Sequence, residues 1–145
     1  MTATIRSILV CLDGSEPSQR ALELCLQLAK SNEMSIQILS VLDLYEVELY
    51  ENLYFSREQV EEMRKKRHAE LVAPACERVR NHEVAVHGET SVGRPLKQIL
   101  HFVETHRPEW VAVGRSGRGR VERIFEGSVS RGLAAKVSIP VFIVP

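Results

Sequence analysis

The sequence has few cysteines, and their arrangement excludes two kinds of small protein. Only Cys11, Cys25 and Cys76 are present, and no two of them form a C-x-x-C pair. An odd number of scattered cysteines argues against a disulfide framework and against a structural zinc site. The five histidines include no H-x-x-x-H pair, the spacing of metal ligands on one helix. We therefore expect a fold that depends on its apolar core, in a compartment that keeps thiols reduced.

Long apolar runs and an excess of one charge are also missing. No run approaches the ~18 residues that span a membrane, and the chain does not open with the basic and apolar segments of a secretory signal. The 19 Lys and Arg residues balance 19 Asp and Glu residues, so charge does not favour nucleic acid or an acidic membrane as a partner. These absences predict a cytoplasmic protein that binds neither nucleic acid nor a membrane.

Two familiar nucleotide-binding signatures are absent as well. The chain has no G-x4-G-K-[ST] loop, and the residues after the first predicted strand read D-G-S-E-P-S rather than the G-x-G-x-x-G of dinucleotide-binding folds. A receiver domain would need a phosphorylatable Asp after its third strand and a Lys after its fifth, and neither is found. All three kinds of domain are therefore disfavoured.

Apolar patterns typical of strands and helices alternate along the chain. Strands are predicted at residues 7–12, 35–41, 83–89, 110–113 and 141–144. The first is continuously apolar, as expected for a strand buried on both faces, whereas the third alternates and is predicted at an edge. Pro74 should kink or break the long helix that begins after Ser56. We predict one α/β domain over residues 1–145, with a doubly wound, Rossmann-like parallel sheet and helices on both faces.

The most informative stretch connects the fourth predicted strand to the last predicted helix. It reads G-x2-G-x9-G-S, formed by Gly114, Gly117, Gly127 and Ser128. Glycines allow positive φ and the close approach of a ligand to the backbone. Ser128 falls where a helix N-terminus would present free N–H groups to a phosphate. Four arginines in the same stretch could add charge-assisted hydrogen bonds: Arg115, Arg118, Arg120 and Arg123.

Asp13 is predicted to lie close to this glycine stretch. In doubly wound sheets, ligands bind beyond the carboxyl ends of the strands, and both Asp13 and Gly114 follow predicted strands. A turn or helix cap is the commonest role of such an aspartate. Its position at the end of a buried strand favours a role toward a ribose or a metal-bound water instead.

Together, the segment L-V-C-L-D-G-S at residues 9–15, the long glycine signature and the ending I-P-V-F-I-V resemble the universal stress protein family, in its ATP-binding branch. The resemblance covers nearly the whole chain. It implies the strand order 3-2-1-4-5, a bound ATP, ADP or AMP, often with Mg or Mn at the phosphates, and a homodimer paired through the last strand, at residues 141–144. Three positions depart from the family pattern, at Cys11, Trp110 and the Arg115-Ser116 pair.

The resemblance also implies which residues contact the nucleotide. Leu12 and Asp13 would line the adenine and ribose, Val41 would touch adenine, and Asp13 could hold a metal through water. The residues expected along the base, the ribose and the phosphates are Val113, Gly114, Arg115, Gly117, Arg118, Gly127, Ser128, Val129 and Ser130.

Three functional hypotheses follow. In the first, a nucleotide orders the glycine stretch and acts as a conformational or oligomeric ligand in a stress-response or regulatory protein. In the second, the chain is a slow ATPase, which the missing lysine loop and the absence of an evident acid and base disfavour. In the third, it is an interaction protein that needs no nucleotide, which the intact glycine signature disfavours. We expect no catalytic residue.

Overall fold

The computed structural model describes residues 6–44, 54–115 and 128–145. Their strands form one parallel sheet in the order β3-β2-β1-β4-β5. The strands are β1 (Ser7–Cys11), β2 (Ser35–Leu42), β3 (Val86–Val92), β4 (Trp110–Gly114) and β5 (Val141–Val144). This order is the one expected from the sequence, and the predicted edge position of the third strand is confirmed.

Helices cover both faces of this sheet. They are α1 (Glu16–Asn32), α2 (Arg57–Arg67), α3 (Ala73–Arg80), α4 (Pro95–His106) and α5 (Ser128–Lys136). On one face, α1 and α3 pack against a core that includes Leu22 and Cys76. On the other, α4 and α5 pack against a core that includes Phe102 and Leu133. The predicted doubly wound architecture is therefore confirmed.

The long helix changes its hydrogen bonding where the sequence predicted a break. Between α2 and α3 lies one π-helical segment, His68–Val72, and Pro74 occupies the first turn of α3. A proline lacks an N–H group, so its position inside a helix requires a change in the hydrogen-bonding pattern. The wider π turn provides that change, and the chain remains helical across the proline.

The third strand lies three residues further along the chain than predicted. Residues 81–83 form a turn after α3, with Glu83 in the left-handed region at φ 59°. The Glu83 N–H donates to the Arg80 carbonyl at 2.8 Å. This turn delays the strand until Val86, so the predicted range of 83–89 was wrong at both ends.

No helix within the described ranges is long and apolar enough to cross a membrane.

Candidate functional site

The registers of the central strands bring the predicted site residues to one edge of the sheet. Cys11 of β1 pairs with Leu39 of β2, and Val10 pairs with Ala112 of β4. Asp13 follows Cys11 by two residues, just beyond the end of β1, and Val41 of β2 follows Leu39 by two residues. The end of β4 lies on the opposite side of β1. Asp13 is therefore flanked by the carboxyl ends of β2 and β4, which is where doubly wound sheets bind ligands.

The Asp13 carboxylate is held by the turn that follows it. Gly14 adopts φ 87°, a left-handed conformation that reverses the chain direction. Ser15 then donates to the same oxygen of Asp13 twice, from its backbone N–H at 2.9 Å and from its hydroxyl at 2.5 Å. Within the described part of the chain, the second carboxylate oxygen, Oδ2, has no hydrogen-bond partner. The turn thus holds one oxygen of the carboxylate in place.

Two serines connect this turn to the first turn of α1. Ser15 caps the helix, because its hydroxyl accepts the N–H of Ser18 at 3.3 Å. The Ser18 hydroxyl donates to the Ser15 carbonyl at 2.9 Å and accepts the Asp13 N–H at 3.4 Å. Ser18 is almost completely buried. The sequence prediction missed both serines, although the spacing S-x-x-S around Pro17 is a helix-start signal that could have identified them.

Gly114 ends β4 without a left-handed backbone. Positive φ occurs at Gly14 and Gly93 among the described glycines, and not at Gly114. A Cβ atom on Gly114 would lie 2.8 Å from the Cβ of Pro17 and 2.9 Å from the backbone nitrogen of Ser18. The missing side chain therefore lets β4 pack directly on the first turn of α1. Positive φ, one of the two roles predicted for the glycines of this stretch, is therefore not found at Gly114. The predicted contact of Gly114 with a ligand stays a prediction.

Three of the four predicted apolar site residues have little side-chain surface left for a ligand. The exposed fractions are 2% for Leu12, 7% for Val41 and 4% for Val113. Leu12 belongs to the core beneath α1, and the other two belong to the core beneath α4. Any contact that these residues make with a nucleotide would therefore come mainly from the backbone.

The end of β4 and the start of α5 frame the glycine stretch. Arg115 is exposed, and its N–H extends the ladder to the Val144 carbonyl at 2.7 Å. Ser128 is the first residue of α5, as predicted. Val129 packs against the core and Ser130 is buried. The remaining predicted residues lie outside the described residues: Gly117, Arg118, Arg120, Arg123 and Gly127.

The candidate site places the Asp13 carboxylate close to the Cys11 thiol. Burial raises the pKa of the Cys11 thiol, and the nearby Asp13 carboxylate raises it further. Cys11 therefore stays a neutral thiol, which is a poor nucleophile. Among the described residues, no group of three or more His, Cys, Asp or Glu side chains is arranged to hold a metal ion. A metal here would need ligands from the bound molecule.

Comparisons with known proteins identify relatives over nearly the whole chain. The model of the universal stress protein family matches residues 4–145. Universal stress protein MJ0531 of Methanocaldococcus jannaschii is 26% identical over 141 residues, which cover 96% of this chain and 81% of that protein. Universal stress protein YxiE of Bacillus subtilis is 27% identical over 143 residues, covering 94% and 97%.

Solved structures share the fold. The hypothetical protein MJ0577 matches with a TM-score of 0.81 at 20% identity, covering 98% of this chain and 96% of that one. A universal stress protein in complex with cAMP matches with a TM-score of 0.68 at 19% identity, covering 99% and 98%. The universal stress protein from Archaeoglobus fulgidus in complex with dAMP gives 0.66 at 16% identity, covering 98% of each chain. Because the family model spans nearly every residue, this chain belongs to the universal stress protein family.

Proposed function

We propose that this protein binds an adenine nucleotide, ATP or its relatives ADP and AMP, at the carboxyl edge of the sheet beside Asp13. The observation that carries the proposal is the Asp13 carboxylate, fixed through one oxygen by Ser15 and flanked by the ends of β2 and β4. Relatives of the same fold bind cAMP and dAMP. The long glycine signature is in keeping with a phosphate group as part of the ligand.

In this proposal, different residues contact the base, the ribose and the phosphates of the nucleotide. The backbones of Leu12, Val41 and Val113 border the base, since their side chains are buried in the two cores. Asp13 faces the ribose. The phosphates lie along the glycine stretch toward the N-terminus of α5, and the residues proposed for them are Gly114, Arg115, Gly117, Arg118, Gly127, Ser128, Val129 and Ser130.

Mg or Mn would accompany the triphosphate. Magnesium in nucleotide sites is commonly held by one or two carboxylates together with phosphate oxygens and water. The carboxylate of Asp13 fits that donor set and could hold a metal-bound water as the alternative to facing the ribose. The metal would neutralise phosphate charge when bound, while the chain's own part is to place Asp13.

The nucleotide acts mainly as a conformational or oligomeric ligand, with little or no hydrolysis. The sequence lacks the phosphate-binding lysine loop of fast NTPases. A homodimer would form through β5, which is an edge strand of the sheet and exposes 41% of Ile143. An exposed apolar edge strand is stabilised when another strand covers it.

Thermal unfolding with and without nucleotide tests this function. Ligand at one hundred times Kd adds ~2.7 kcal/mol to the free energy of unfolding, which raises Tm by on the order of 5–10 °C for a domain of this size. We expect that rise for the wild type with ATP and magnesium, and its loss in the double variant Gly127→Val/Ser128→Ala. Ser56→Ala, at the N-terminus of α2, serves as a control that keeps the rise. The absence of any rise with millimolar ATP or AMP would favour a nucleotide-independent interaction protein.

A further inference from the structure

The Ser15 hydroxyl takes part in two hydrogen bonds that together fix its orientation. It accepts the Ser18 N–H at 3.3 Å, which occupies one lone pair, and it donates its single proton to Asp13 Oδ1 at 2.5 Å. The backbone N–H of the same serine donates to the same carboxylate oxygen at 2.9 Å. Two donors from one residue thus converge on Oδ1, and a rotation of the carboxylate would break both bonds.

Because Ser15 holds Oδ1 of Asp13 in place, the position of Oδ2 is fixed as well. An ionised carboxylate only accepts hydrogen bonds, so its Oδ2 pairs with a donor from water or from a ligand. No described residue supplies one to Asp13. The hydroxyl groups of a ribose are donors, and a fixed acceptor selects for them because the analogue without the hydroxyl leaves the acceptor unpaired.

We propose that Ser15 is a positioning residue that holds Asp13 so that Oδ2 accepts a ribose hydroxyl, which makes the site selective for ribonucleotides over nucleotides without ribose hydroxyls. The inference rests on the proposed function and assigns to Ser15 a role beyond capping α1. Ser15 acts through Asp13 and does not itself contact the ligand.

The cap at Ser56 offers a matched control. Ser56 begins α2 with the same chemistry, since its hydroxyl accepts the Gln59 N–H at 3.2 Å. Its side chain lies at the start of another helix and, within the described part of the chain, makes no hydrogen bond with Asp13 or its turn. The alanine variants at Ser15 and Ser56 should therefore weaken capping alike, whereas only the first removes a donor to Asp13.

The experiment compares the affinities for ATP and for 2′,3′-dideoxy-ATP by calorimetry, with magnesium present. The wild type should prefer ATP. Ser15→Ala should lower the affinity for ATP about tenfold, the size of one charge-assisted hydrogen bond, and leave the affinity for the dideoxy analogue within about twofold. Ser15→Thr should restore the preference, because threonine keeps the hydroxyl. Ser56→Ala should match the wild type with both ligands.

A second variant protects the test against poor folding. Glycine at an N-cap costs a helix only a few tenths of a kcal/mol, so Ser15→Gly removes the hydroxyl with less loss of stability than alanine. Equal losses for both nucleotides, or unchanged affinities in both Ser15 variants, would overturn the positioning role while leaving nucleotide binding intact. Failure of the wild type to bind either nucleotide would overturn the proposed function itself, and the inference with it.

Discussion

The first turns of α1 and α2 share their hydrogen bonding and differ in their surroundings. Each begins with a serine whose hydroxyl accepts an N–H three residues later, Ser15 from Ser18 and Ser56 from Gln59. The α1 turn lies between Asp13 and the end of β4, and its helix buries six residues. The α2 helix buries none. The cap at Ser56 therefore stabilises the start of a helix, whereas the cap at Ser15 also holds Asp13 in a candidate ligand site.

The two serine caps have the same local role, and the surrounding fold gives Ser15 a further one. A serine cap satisfies free N–H groups wherever a helix begins. The additional role at Ser15 depends on Asp13 following β1 and on Gly114 bringing β4 against Pro17. The Ser15 cap contributes to the candidate site because it lies at the carboxyl edge of the parallel sheet, where it bonds to Asp13.

The largest expected effect concerns the buried faces of the two helices. Leu22 of α1 is fully buried, and we expect Leu22→Ala to lower the free energy of unfolding by about 2–5 kcal/mol. Met63 of α2 is only half-buried, so Met63→Ala should cost about 1 kcal/mol or less. Urea denaturation measures both. Similar losses in the two variants would contradict the contrast between the helices.

A methyl group on Gly114 should disturb the first helix and spare the second. Overpacking against Pro17 and Ser18 should cost about 1–3 kcal/mol in Gly114→Ala. The matched reporters are the first i→i−4 hydrogen bonds, from Gln19 to Ser15 in α1 and from Val60 to Ser56 in α2. Amide hydrogen exchange should accelerate at Gln19 relative to Val60. Equal acceleration at both amides would argue against a local contact.

The Cys25 thiol, on the buried face of α1, should make the free energy of unfolding fall at alkaline pH. Burial raises the pKa of the Cys25 thiol from 9.0 to about 12. Above pH 9 the unfolded chain releases this proton while the folded chain retains it, so stability falls as pH rises toward 12. At pH 10 the fall from this thiol is about 1.4 kcal/mol. Cys25→Ala should reduce the fall between pH 7 and 10 by that amount in urea titrations, and an unchanged fall would refute the assignment.

The sequence predicted those features that depend on neighbours along the chain. Local hydrogen-bonding needs predict the start of α2 after Ser56 and the start of α5 at Ser128, and the structure confirms both. The kink or break predicted at Pro74 is instead a π-helical segment within a continuous helix. The strand order came from the family resemblance and is confirmed by the sheet. The limits of the third strand were wrong because a turn at Glu83 has no strong sequence signal.

The remaining site features depend on contacts between distant residues. Gly114 is close to Pro17 only because β4 lies beside β1, so no pattern within the glycine stretch could indicate a packing role. The burial of Val41 and Val113 likewise depends on α4 and α5 covering one face of the sheet. Asp13 was predicted correctly at the carboxyl ends of the strands. Its hydrogen bond to the Ser18 hydroxyl depends on how the turn between them folds, which the sequence did not indicate.

The most direct test of the nucleotide site is a backbone amide NMR titration of the wild type with ATP and magnesium. We expect the largest chemical-shift changes at Asp13, Gly14 and Ser15, with further changes at Val41 and Arg115. Val60, in the first turn of α2, should change little. Asp13→Asn should weaken the same response. Saturable shifts at α2, with Asp13 and Arg115 unmoved, would contradict a nucleotide site at the carboxyl edge of the sheet.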